Sequence, residues 1–185
     1  LLISFLAVII FSCNKKDEEK PKSELESLAY TIYSNKLELF VEFKPLVVGE
    51  VSRFAAHLTV LGESFKSLDE GKVTVSVTEN GSASVDAPNP PGIFRPEIKP
   101  IKAGSNFKVT FEIVTKDFTE NIVIDDVTVY PDIQTAIANQ VEESAGSEIP
   151  YLKEQAWKVE FANQEVKKQM FFYTLRTTGQ IITPP

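Results

Sequence analysis

Few side chains in this 185-residue sequence are able to do chemistry, and their spacing decides what they can do. It holds one His, His57, one Cys, Cys13, and one Met, Met170. Zinc and copper sites need several imidazole, thiolate or thioether ligands converging on one point, so a transition-metal centre is not expected. A single Cys gives no disulfide framework. No Ser-His-Asp pattern, phosphate-binding glycine loop or zinc spacing stands out. We therefore expect no catalytic residue, no cofactor and no metal-ligand set, and an enzyme is the least favoured class. His57 shares a strand face with Ala55, Thr59 and Leu61, opposite Phe54, and reads as a structural or surface histidine. Asp125 and Asp126 are adjacent carboxylates, which on a straight strand point to opposite faces and cannot act as an acid-base pair. A bulge would bring them together and open calcium binding through oxygen ligands. Glu142, Glu143 and Glu148 read as a solvated loop. Trp157 reads as a helix-packing anchor rather than a ligand stacker.

The elements that carry these residues follow from periodicity. Length predicts a single core, at about 100 to 200 residues per domain. Hydrophobic residues at 43% and charged residues at 24% are globular values. Leu37, Leu39, Val41 and Phe43 alternate on one face up to Pro45, and so do Phe54, Ala56, Leu58 and Val60. Val73, Val75 and Val77 repeat the pattern before Asn80-Gly81, a pair suited to positive φ in a tight turn. Phe107, Val109, Phe111 and Ile113 form another such face. In Ile122 to Tyr130 the alternation slips phase across Asp125-Asp126, which predicts a bulge. Ala87 to Pro96 is a proline-rich turn. Short strands at this spacing predict an immunoglobulin-like antiparallel β-sandwich, over residues 28–131.

Beyond Tyr130 the period changes. Asp132 caps a short helix with Ile133, Ala136, Ile137 and Gln140, and a second helix is expected from Pro150. Its apolar stripe is Leu152, Ala156 and Val159, with Trp157 beside them. Met170 to Ile182 returns to strand-like composition. Residues 132–185 thus read as a helical connector and the first strand of a truncated next domain, with Leu152, Trp157 and Val159 as domain-docking residues. The chain begins with Leu1 and stops at Pro185 just after a strand-like start, so continuation on both sides is expected.

Leu1 to Ser12 is an unbroken apolar run ending on Cys13. Twelve residues are too few to cross a bilayer core, which needs about 20. The sequence Ile10-Phe11-Ser12-Cys13 resembles the lipobox of bacterial lipoproteins, with Phe11 in place of the usual small residue. The resemblance implies a signal peptide over 1–12 and lipidation at Cys13. The alternative, a buried apolar Cys, leaves the abrupt change to charge at Asn14 unexplained. Residues 13–27 are mostly charged, with almost nothing to bury, and read as a flexible tether. Asp17-Glu18-Glu19 after a lysine resembles the surface-export signal of lipoproteins in the Bacteroidetes group. With 26 acidic against 19 basic residues the net charge is -7, the wrong sign for neutralising phosphates, so nucleic acid is not an expected partner.

Several separated segments together resemble one family. Leu39 to Glu50 (LFVEFKPLVVGE), Arg53 to Thr59 (RFAAHLT) and Pro91 to Pro96 (PGIFRP) are similar to the N-terminal sandwich of periplasmic adaptor subunits, or membrane fusion proteins. The branch is that of heavy-metal resistance-nodulation-division efflux pumps. Leu152 to Ala162 and Thr177 to Ile181 resemble the helix and first strand that lead into that family's β-barrel and lipoyl-like domains. The match spans residues 30 to 182. It implies a lipid-anchored protein facing the periplasm that links an inner-membrane proton-driven pump to an outer-membrane channel. It also implies a homo-oligomer in the full-length assembly, heavy-metal cation export, and no covalent chemistry. Some copper-pump adaptors carry a methionine cluster in this part. Here Met170 lies in the connector, which counts against metal handover by this stretch. A rival reading is a cell-surface lipoprotein whose sandwich grips glycan or protein through loops such as Ala87 to Arg95.

Overall fold

Strand alternation places the core before any long-range contact is considered, and the computed structural model follows that pattern. It describes residues 24–62, 65–140, 152–159, 168, 170–174, 176 and 179. Cys13 and the apolar run before it, the tether up to Ser23, and Glu142, Glu143 and Glu148 lie outside the described residues.

The fold is mainly β. One five-stranded sheet runs β1 (Leu28–Tyr33), β2 (Leu37–Phe43), β5 (Ala55–Val60), β6 (Lys66–Ser67), with β9 (Ile93–Phe94) also pairing β5. The second runs β3 (Leu46–Val47), β12 (Thr119–Tyr130), β11 (Gly104–Val114), β7 (Lys72–Val77), β8 (Gly81–Val85). β4 (Ser52–Arg53) and β10 (Glu97–Ile98) make a two-stranded ribbon, and two short helices follow, α1 (Ile133–Ala138) and α2 (Lys153–Ala156).

The alternating side chains of both five-stranded sheets form one core. Leu37, Leu39, Val41 and Phe43 from β2, Ala56 and Leu58 from β5, and Val73, Val75, Val109, Phe111 and Ile113 from the other sheet are all buried in it. Phe54 joins the two, with its ring 4.6 Å from Phe43 and 5.8 Å, edge-on, from Phe111. Burying each such side chain stabilises the fold by about 1.5 to 3 kcal/mol.

Three features depart from or refine the sequence expectation. The pairing is not wholly antiparallel, because β3 runs parallel to β12, with Leu46 beside Val129 and Val47 beside Tyr130. Pro45 explains this: with no N–H it ends the first sheet's ladder, and the chain crosses to the free edge of β12. In the β7–β8 turn, positive φ falls on Glu79 (+59°) and Gly81 (+98°), not on Asn80. Asn80 is instead buried. Its Oδ1 accepts from the amides of Ile101 (3.0 Å) and Lys102 (2.8 Å), and its Nδ2 donates to the Thr78 carbonyl. Lastly, none of the described residues between 168 and 179 lies in a strand, and Met170, Phe171, Phe172 and Tyr173 are exposed.

The phase slip across Asp125-Asp126 is a bulge. Phe107 pairs Val127 while Val109 pairs Ile124, so three steps on β12 match two on β11, and Asp126 takes φ +58°. Asp132 caps α1 as its composition predicts, accepting from the Thr135 amide at 2.7 Å.

Candidate functional site

The inward face of the first sheet is fixed by alternation, and so therefore is its outward face. Register sets Glu38 beside Thr59 and Phe40 beside His57, while Thr59 also pairs Ser67 and His57 pairs Ile93. An outward face should be wet, yet Glu38 is fully buried, and Thr59 and His57 are buried too. The cover is α2.

This single-turn helix begins with the Gln155 side chain accepting from the Leu152 amide at 3.0 Å. A helix this short has no stability of its own in water and depends on what it rests against. Lys153 reaches Glu38, donating to Oε1, which also accepts from the Tyr33 hydroxyl at 2.9 Å. The same ammonium lies 5.9 Å from the centre of the Phe40 ring. Four residues on, the indole N–H of Trp157 donates to Thr59 Oγ1 at 2.8 Å. That ring also closes over Gly92, where a Cβ would come within 2.6 Å of the indole Cη2 and Cζ3 and 2.7 Å of Ser67 Cβ. Gly92 has φ +80°, so the proline-rich turn needs glycine both for its backbone and for the indole's approach.

Charge at the dock is unevenly satisfied. Glu38 Oε2 and His57 Nδ1 are buried and have no hydrogen-bond partner among the described residues. Glu154 Oε1 stands 3.6 Å from that Nδ1, too far for a hydrogen bond. Burial pushes His57 below the ordinary histidine value; Glu154 and then Glu42 pull it upward, while Arg95 and Lys153 push it further down. Desolvating the Lys153–Glu38 pair offsets most of its attraction, so it adds little net stability, whereas losing one partner is costly. Its geometric effect is larger: one ammonium and one indole, four residues apart, fix both the position and the direction of the helix.

The dock brings together His57 and Trp157, two of the residues singled out from sequence, with ring centres 6.2 Å apart. It divides the expected apolar stripe. Ala156 is buried and Trp157 half-buried, while Leu152 and Val159 are 60% and 54% exposed. The helix is a single turn: Leu152 is its extended N-cap residue and Val159 lies beyond its C-cap Trp157, so neither is held at the helical spacing that would align it with Ala156. Asp125 is elsewhere, paired with Lys108 Nζ at 2.8 Å. Asp126 lines a cavity of about 320 Å³ with Tyr30, Tyr130 and Asn139. Among the described residues no group of three or more His, Cys, Asp or Glu is placed to hold a metal ion.

Sequence reasoning missed Glu38, Lys153, Thr59 and Gly92. Glu38 occupies the polar slot of an alternating strand, and nothing local marks it as buried. The available signal was Phe40, a large apolar residue in the next polar slot, which hints at a third layer over that face. Chemically the arrangement seats a segment, with Lys153 near the Phe40 ring and Trp157 beside His57 and Thr59. No family model, curated protein or solved structure matches this chain.

Proposed function

We propose that this chain is part of a periplasmic adaptor subunit of a heavy-metal resistance-nodulation-division efflux pump. It would be anchored by lipid at Cys13 and would bridge an inner-membrane proton-driven pump and an outer-membrane channel. The observation that carries the reading is the convergence of the segments on which the resemblance rests. Phe40 comes from the first segment, His57 and Thr59 from the second, Gly92 from the third, and Lys153 and Trp157 from the fourth; all meet at one dock. An adaptor acts by holding domains at fixed angles, and a connector pinned at two points to a rigid sheet supplies that without any reacting group. The rival reading, a glycan- or protein-binding sandwich, needs a free Ala87–Arg95 turn, and this turn is pinned at Gly92 by the indole.

The test uses the full-length gene product carrying an affinity tag, cross-linked in the cell envelope. A proton-driven inner-membrane transporter and an outer-membrane channel should co-purify, deletion should lower growth on toxic metal cations, and Cys13→Ala should release the protein from membranes. Unchanged metal tolerance with neither partner recovered refutes the reading, and specific glycan capture in their place favours the rival.

A further inference from the structure

The only imidazole and the only indole of the chain face each other across the boundary between sheet and connector. His57 is buried, and its Nδ1 has no hydrogen-bond partner among the described residues. A neutral ring tolerates this. An imidazolium carries two N–H donors and a charge that must be solvated, and the cover over it removes water. The charged groups that act on the ring come from three segments: Glu154 and Lys153 from α2, Glu42 from β2, and Arg95 just after β9. Glu38, on the register diagonal opposite Glu42, is already engaged by Lys153. Two carboxylates therefore favour protonation while two cations and burial oppose it.

We propose that the dock is a pH-sensitive latch, in which protonation of His57 releases α2 and Trp157 from the outer face of β2 and β5, and deprotonation lets them seat again. The direction follows from linkage. Docked, His57 is held below its ordinary value, with burial the largest cause. Undocked and in water, it returns to about 6.5. Above that pH the ring is neutral in both states and the latch is at full strength. As pH falls below about 6.5, the undocked form binds the proton first, so the docking constant drops by up to about tenfold per pH unit until the docked ring titrates as well. Ordinary carboxylates titrate near about 4, so a window from pH 7.5 to 5 isolates the imidazole. The latch does not depend on the adaptor reading, because its test measures docking and not export.

In this 185-residue chain, the single imidazole gives one NMR titration, and the single indole reports its own surroundings. Between pH 7.5 and 5 the Trp157 emission maximum should move to longer wavelength, and amide exchange at Ala156 and Trp157 should accelerate. Wavelength and exchange are the readouts because an imidazolium quenches a neighbouring indole without moving it. The imidazole of the docked chain should titrate below 6.5, the reference of about that value for a free ring. His57→Gln should abolish the pH dependence, and Glu154→Gln should shift release to higher pH. An imidazole titrating at or above the free-ring value overturns the latch. So does an indole that stays buried down to pH 5, or an unchanged transition in His57→Gln. Should His57→Gln lose its sheet circular dichroism, the imidazole titration and indole emission of the unaltered chain decide the matter alone.

Discussion

Replacing Gly92 by Ala probes the dock at the point where backbone conformation and packing coincide. At φ +80° a side chain costs about 1 to 2 kcal/mol in the left-handed region. The added methyl would stand 2.6 Å from two indole carbons and 2.7 Å from Ser67 Cβ, an overpacking of the kind that costs about 1 to 3 kcal/mol. Together these predict a loss of about 2 to 5 kcal/mol if everything stays in place. The cheaper escape is for α2 to swing away, so the indole should also become solvent-exposed. The assay is urea denaturation followed by circular dichroism for the sheets and Trp157 emission for the dock. A double-mutant cycle with Trp157→Ala then separates the two contributions, because backbone strain and the Ser67 contact persist without the indole while the indole clash does not. We expect Gly92→Ala to cost at least about 1 kcal/mol less in the Trp157→Ala background, well outside the scatter of independent sites. Equal costs in both backgrounds, within about 0.5 kcal/mol, would refute the seating of the indole over Gly92.

Three further expectations concern single contacts. Lys153→Ala leaves the fully buried Glu38 carboxylate without its cation and should weaken the dock by up to about 3 kcal/mol, whereas Glu38→Gln combined with Lys153→Met should be nearly neutral; Trp157 emission in urea ranks the two. Asn80→Ala strips the Ile101 and Lys102 amides of their acceptor and should cost about 2 kcal/mol in thermal unfolding, most of it restored by Asn80→Asp, which keeps the accepting oxygen. The Thr135 amide and hydroxyl hold the Asp132 carboxyl below the usual range. The cap is thus intact above the free carboxylate value, near about 4, and is lost as pH falls through its lower folded value. Amide exchange at Thr135 should rise there, and not in Asp132→Asn.

Much of the sheet arrangement is legible in alternation, since a period of two fixes which side chains can reach a core. The bulge at Asp125-Asp126 was equally readable, because an inserted residue leaves its mark as a change of phase. What alternation cannot carry is the partner on the outward face. Glu38 reads as wet because half-buried strands are polar there, and only the arrival of Lys153, 115 residues later, makes it a buried charge. Asn80 reads as a turn residue for its small polar side chain, while that same side chain bridges two distant amides. The parallel β3 was hidden for a related reason, since a two-residue strand has no period to read and its direction is set by the crossing at Pro45.

The separation between Glu38 and Lys153 bears on the order in which the molecule assembles. During synthesis every described strand has emerged by Tyr130, while α2 and Trp157 are still to come. Until then Phe40, His57 and Thr59 form a bare patch on a nascent chain. Closing a loop of this length costs entropy that grows only slowly with length but must be met before the contacts return anything, so the dock closes last. In that interval Glu38 and Glu42 act as gatekeepers, since charges beside exposed Phe40 discourage the young sheet from sticking to its neighbours. The carboxylate that the finished protein must neutralise with Lys153 is, on this view, what keeps the unfinished one soluble.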